Sequence, residues 1–191
     1  MMQIPSHIRA RRVRCILACV SLFLLCSLAP AGDNFWKDET GKPAPDTEFR
    51  KTEQDFGGWL VVTPDADWAQ KWQTSPTTIP RFTTSDQVKK GQELTILILF
   101  VNPAVDASGS ADVTCELQSI RPDGSLSINE KDVVCFRGKL QGDPYNIRLA
   151  APVIKYVGED KDLPGKWTIR VTLTDNQRHV RLPLTTSFTL Q

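Results

Sequence analysis

The stretch Pro164-Gly165-Lys166-Trp167-Thr168-Ile169-Arg170-Val171-Thr172-Leu173-Thr174-Asp175-Asn176 sets apolar residues at 167, 169, 171 and 173 against polar ones at 166, 168, 170 and 172. A period of two is the mark of a strand with one buried face. Turn residues bound it, with Leu163-Pro164-Gly165 ahead and Asp175 to Arg178 behind. The pattern returns in the last stretch, where Leu182, Leu184, Thr186, Phe188 and Leu190 share a face and Pro183 marks an edge or outward position.

Further upstream, Leu94, Ile96, Ile98 and Phe100 point one way, while Thr95, Leu97, Leu99 and Val101 point the other. Both faces are apolar. In a two-sheet sandwich one face meets the opposite sheet, and the second then needs a cover of its own. The residues before it offer one. Thr63 reads as an N-cap, Pro64 as a first helical residue, and Asp65 and Asp67 as first-turn acids, with Trp68 and Trp72 one turn apart on a single face. A short helix near 64–73 is therefore expected to lay its tryptophans on the second face. Trp59 to Thr63 forms a short strand ahead of it. Val113, Cys115 and Leu117 begin another that turns at Arg121-Pro122-Asp123-Gly124 and returns through Leu126 and Ile128. Cys135 lies in strand-like sequence at 132–136, and 147–157 supplies a further strand. About seven strands predict an all-β, immunoglobulin-like antiparallel two-sheet sandwich with one short N-terminal helix, a single domain over 59–191.

The N-terminal part reads differently. Basic residues Arg9 to Arg14, an apolar run from Cys15 to Leu28 and small residues at Ala29-Pro30-Ala31 form the ordered parts of a cleaved export signal, residues 1–31. The fourteen-residue run is short for a spanning helix, which needs about 20, so the mature chain is not expected to be an integral membrane protein. Residues 32–58 are polar and charged, with prolines at 43 and 45, and read as a flexible leader carrying a few aromatics, Trp36 among them.

Removing the signal changes the chemistry available. The whole chain has 191 residues and a formal charge of +1; the signal holds four arginines and no acid, so the remainder carries −3. Mild acidity argues against nucleic-acid binding, which uses a basic stripe on phosphate. One histidine, His179, and two cysteines, Cys115 and Cys135, remain, too few for a multi-histidine metal site. In an exported chain the two cysteines are expected to form a disulfide.

Three segments resemble an uncharacterised family of exported bacterial β-sandwich proteins: F-G-G-W-L-V-V-T-P-D-A-D at 56–67, R-P-D-G-S at 121–125, and P-G-K-W-T-I-R-V-T-L-T-D-N with L-P-L-T-T-S-F-T-L near the C-terminus. The resemblance covers roughly Phe56 to Leu190. Its motifs are turn and core motifs, so it implies a fold and no activity.

Candidate chemistry is sparse. His179 sits in a turn beside Asp175, with Ser187 on the adjoining strand, but no nucleophile elbow accompanies them, and a solvated turn histidine is the reading taken. Asp106 to Asp112, and Asp160 with Asp162, alternate oxygen ligands without the spacing of a calcium loop. No catalytic residue, metal or cofactor is expected. The first expectation of function is a non-enzymatic periplasmic or cell-surface module that binds a protein partner or steadies an envelope assembly. The alternative is glycan binding through exposed aromatics, and a hydrolase is a distant third. Trp36 and Tyr145, the latter in the loop Gly142 to Asn146, are the candidate contacts for either ligand.

Overall fold

A computed structural model describes residues 36–37, 40–73 and 80–191. The expected export signal, residues 1–31, lies outside the described residues. Ten strands and one helix follow in order: β1 Arg50–Glu53, β2 Phe56–Thr63, α1 Trp68–Trp72, β3 Gln87–Val88, β4 Glu93–Val101, β5 Ser110–Ile120, β6 Leu126–Lys139, β7 Arg148–Leu149, β8 Ile154–Val157, β9 Gly165–Asp175 and β10 Val180–Leu190. One sheet runs β1-β2-β4-β7, with β8 also on β4; the other runs β3-β10-β9-β5-β6. Neighbours are antiparallel except β3, which lies parallel to β10. The fold is the all-β two-sheet sandwich expected, with ten described strands where about seven were counted. The added ones are short. The strand expected over 147–157 divides into β7 and β8 around Ala150 to Val153, where Pro152 has no amide to donate.

Strand β9 carries the alternation of the opening stretch into the core: Trp167, Ile169, Val171 and Leu173 are all buried between the sheets. They meet Leu94, Ile96, Ile98 and Phe100 of β4 across the sandwich in one cluster. Gly58 allows the close approach of β2, because a Cβ there would lie 2.8–2.9 Å from the methyls of Leu173, Leu182 and Leu184.

The second face of β4 is buried as well. Leu97 and Leu99 pack with Val61 beneath Trp68, Trp72 and Phe82, so α1 is the expected cover. Its start is corrected. Thr63 still pairs with Thr95 at the end of β2, and its Oγ1 accepts from the Asp65 amide at 3.1 Å, so the chain turns once more before the helix begins at Trp68. Asp65 then fixes that turn: its carboxylate takes Lys71 Nζ at 2.8 Å and the Thr83 amide at 2.9 Å.

The reading of 32–58 as a flexible leader is also corrected for the residues described. Trp36 and Ala44 are buried beside Val101, which lies on the same outer face of β4 beyond the reach of the helix. Residues 50–53 form β1 and turn into β2 through Gln54 and Asp55, both in the left-handed region at φ 45° and 62°. Two successive positive φ values make a type I′ hairpin, here without the Asn-Gly pair that would have advertised it.

Cys115 and Cys135 form the expected disulfide, with Cα atoms 5.8 Å apart. It joins neighbouring strands of one sheet, whereas antibody domains bridge their two sheets. Val113 faces Phe136 and Thr114 faces Val134, which leaves Cys135 as the extra residue of a bulge, and its side chain enters the core beside Cys115. The bulge frees the Cys135 carbonyl to accept from the Ala151 amide at 2.8 Å, a bond from β6 to the segment between β7 and β8.

Two outcomes follow. Replacing both cysteines with alanine should lower the unfolding free energy by about 3 kcal/mol in chemical denaturation, the chain-entropy value for a loop of this length. Wild-type protein under reducing conditions should then unfold at the same midpoint. The second concerns pH. The hydrogen bond from Lys71 lowers the Asp65 carboxyl from 3.8 to about 2; burial works against this and the Thr83 amide assists it. A lowered folded-state value means that the contribution is complete above about pH 4 and is lost as pH falls toward 2. Near-ultraviolet circular dichroism of the tryptophans should show helix release in that window, and Asp65→Asn should remove this pH dependence.

Candidate functional site

One end of the sandwich gathers the β1–β2 turn, the β4–β5 loop, the β6–β7 loop and the β9–β10 turn, and buried polar groups tie them together. Asp175 ends β9 with no exposed surface. Its Oδ2 accepts the Ala104 amide at 2.8 Å, and its Oδ1 accepts the amides of Gln177 and Arg178, each at 3.1 Å. A buried carboxylate needs such donors to offset its lost hydration. Asn102, at φ 53°, is the second tie. Its side-chain amide donates to Asp55 O at 2.7 Å, its carbonyl accepts from Arg178 Nη1 at 3.1 Å, and its own amide donates to Pro144 O at 2.8 Å.

Arg148 is the third. It opens β7 opposite Phe100, and its guanidinium turns back under the preceding loop. Nη1 donates to Pro144 O at 3.0 Å and Asn146 O at 2.6 Å; Nη2 donates to Gln141 O at 2.8 Å and Asp143 O at 2.9 Å. Burial draws the guanidinium below its ordinary pKa, and the Asp143 charge opposes this. The Asp143 side chain adds a bond from the Tyr145 amide at 2.8 Å. Six residues of irregular chain, Gln141 to Asn146, are thus held around one side chain, and what they present is Tyr145, 55 % exposed, with Ile147 beside it at 39 %. Val105, in the loop tied by Asn102 and Asp175, is 47 % exposed.

The two candidate contacts therefore separate. Tyr145 stands on this loop end as an exposed aromatic. Trp36 is corrected: it is 4 % exposed, its ring meets Trp59 edge-on at 5.8 Å, and its indole N–H donates to Lys51 O at 3.2 Å. A ring so enclosed has no face to stack on a sugar or a partner. The polar sequence around it concealed this, because the outer face of β4 that it covers is far off in the chain.

The other residues weighed in the sequence have local roles. His179 is exposed at φ 60° in its turn, and Asp175 is engaged by backbone amides. Ser187 lies eight positions along β10 from His179, roughly 26 Å at the strand rise, so the three do not assemble. Asp106 Oδ1 accepts the amide and hydroxyl of Ser108 and the amide of Ser110, which lowers its carboxyl pKa and closes its own turn. Asp162 accepts from the Tyr156 hydroxyl and the Glu159 amide. Among the described residues no group of three or more His, Cys, Asp or Glu is arranged to hold a metal. No helix among them is long and apolar enough to cross a membrane.

Sequence reasoning missed Arg148 and Asn102. Asn102-Pro103 at the end of an apolar strand was a visible turn signal; nothing local marks Arg148, whose partners are carbonyls.

No protein-family model matches the chain, and no curated protein matches it in sequence. Solved structures with a similar course include the Pseudomonas fluorescens alkylpurine DNA glycosylase AlkC bound to DNA, at 14 % identity and TM-score 0.39, covering 69 % of this chain and 29 % of that one. This chain thus spans less than a third of the glycosylase. Others are the CARDB domain of a Pyrococcus furiosus protein in complex with di-metal ions (12 % identity, TM-score 0.34, 76 % and 97 % covered) and the PKD domain of an M14-like peptidase from a Thermoplasmatales archaeon (13 %, 0.31, 56 % and 88 %). Likenesses at this level carry no argument about activity, and the sandwich is read from its own strand pairing.

The correction to Trp36 has a measurable side. Trp36→Ala should cost about 3–5 kcal/mol of stability, the range for emptying a buried aromatic site. Thermal or chemical denaturation checks it. Tyr145→Ala, by contrast, should leave the midpoint within about 0.5 kcal/mol of wild type, as for other exposed positions.

Proposed function

We propose that this chain is an exported, non-enzymatic binding module of the bacterial envelope that takes a protein partner on its loop end. The observation that carries the reading is the Arg148 guanidinium enclosed by four carbonyls of the loop that presents Tyr145. Binding costs free energy wherever a flexible loop must be ordered, and a loop already ordered avoids that cost. Tyrosine suits the purpose, since it offers a large rigid contact with a polar tip and is enriched among the residues that dominate interface energies. Loops on a rigid sandwich are where such residues are commonly carried. Export is supported by the basic, apolar and small segments of 1–31 in order, and by a disulfide, which persists in oxidising compartments.

The test places a photo-crosslinking amino acid at Tyr145, Ile147 or Val105, and at Glu130 on β6 as a control, in cells that export the full chain. A discrete adduct from the loop positions, absent at Glu130 and lost when Arg148→Ala is added, is the expected result. Adducts equal at Glu130 and Tyr145, or none at any loop position, would overturn the reading.

A further inference from the structure

The cover over the outer face of β4 comes in two pieces, and Trp59 of β2 lies between them. Trp36 and Ala44 bury Val101, while Trp68, Trp72 and Phe82 pack on Leu97 and Leu99; the Trp59 ring packs against both groups and stays half-buried. Two depressions, of about 450 and 530 Å³, adjoin it and share it as a wall. Phe49 and Asp86 also line the first; Pro80, Arg81 and Phe82 line the second. Aromatic rings are accessible in both, since Phe49 is 41 % exposed and Phe82, like Trp59, is half-buried.

Two arginines adjoin these rings with their charges unmatched. The Arg50 guanidinium lies 5.8 Å from the centre of the Trp59 ring. Its Nε is buried and meets no acceptor, and neither a hydrogen bond nor an ion pair reaches its terminal nitrogens among the described residues. A guanidinium carries five N–H donors, and buried ones are as a rule satisfied. Arg81, exposed at the lining of the second depression, likewise has no hydrogen bond or ion pair among the described residues. Asp86 lines the first depression and pairs with neither. Elsewhere on the surface a carboxylate is the complement: Arg137 takes Asp112 at 3.2 Å and Arg181 takes Glu116 at 3.0 Å.

The geometry points to a docking surface for an acidic segment of a partner protein, one apolar side chain resting on Trp59 between Phe49 and Phe82 and carboxylates meeting Arg50 and Arg81. Charge complementarity selects this occupant. A guanidinium matches the two oxygens of a carboxylate, and the ring beneath Arg50 holds it where it can do so. Tryptophan and arginine side by side are also the residues that dominate interface energies. Both kinds of contact are required. A free carboxylate ion would answer one arginine and leave the rings uncovered, and a neutral apolar segment would cover the rings and leave two cations unmatched. The surface is separate from the Tyr145 loop and adds a second contact region to the molecule.

Nuclear magnetic resonance titration of the labelled protein with the capped peptide Glu-Leu-Glu-Leu-Glu tests this, with Gln-Leu-Gln-Leu-Gln as the neutral counterpart. The acidic peptide should bind saturably, with shift changes centred on the Trp59 indole, Phe49 and Phe82, and the neutral one about tenfold more weakly. Arg50→Gln should weaken the acidic peptide by about tenfold and the exposed Arg81→Gln by about threefold. Arg170→Gln is the control: that arginine is exposed and unpaired among the described residues, but Gln118 and Thr185 flank it in place of aromatic rings, so its loss should leave affinity unchanged. Thermal midpoints identify a variant that fails to fold, and Arg81→Gln, on an exposed position, keeps the test decisive if Arg50→Gln does. No saturable binding, equal binding of the neutral peptide, an equal loss in Arg170→Gln, or shifts centred elsewhere would each overturn the surface. Crosslinking at Tyr145 reads another part of the molecule, so either proposal can fail without the other.

Discussion

Strand β4 is apolar on both faces, and the rest of the molecule is arranged to keep both from water. One face, Leu94 to Phe100, meets β9 and β10 across the sandwich. The other runs the length of the strand and is wider than any one element can cover. The single turn of α1 reaches Leu97 and Leu99, and Val101 is left for Trp36 and Ala44. Burying a large apolar side chain is worth roughly 1.5–3 kcal/mol, so an uncovered row of this kind would cost several side chains' worth of stability and invite association. Four of the five tryptophans lie before position 74 for this reason. Trp36, Trp68 and Trp72 roof the outer face, with Trp59 of β2 between them.

The ends of the sandwich are organised by polar rather than apolar contacts. At the Tyr145 end, a carboxylate, a carboxamide and a guanidinium bind four loops to one another through backbone groups. These side chains serve as substitutes for the strand ladder where the chain must leave the sheet. The result is irregular backbone with a defined shape, which is what a recognition surface needs.

Sandwich class, the identity of the core-facing residues in β9 and β10, and the covering role of Trp68 and Trp72 were legible along the chain. Each depends on a period of two or four within a single segment. The covalent partner of Cys115 was legible by count, since one other cysteine remained after the signal. The β1–β2 hairpin was not, because Gln54 and Asp55 take left-handed conformations that other residues adopt more readily. Thr63 and Pro64 gave a sound helix-start signal, and pairing of Thr63 with Thr95 overrode it. Half of the candidate site was visible: Tyr145 in a turn-rich loop was, and Arg148, which shapes that loop, was not. Asp175 was noticed for the wrong reason, as a partner for His179.

Local sequence alone determined where strands run and which of their faces is apolar, because side-chain alternation is set by the backbone of each strand. Only the tertiary structure decided what lies against those faces. Trp36 in polar sequence reads as exposed until Val101, sixty-five residues later, is brought beneath it. Arg148 reads as a surface charge until the loop before it folds over its guanidinium. In both cases the deciding contact is between groups that have no periodic relation in the chain, and burial is a property of the pair rather than of either residue.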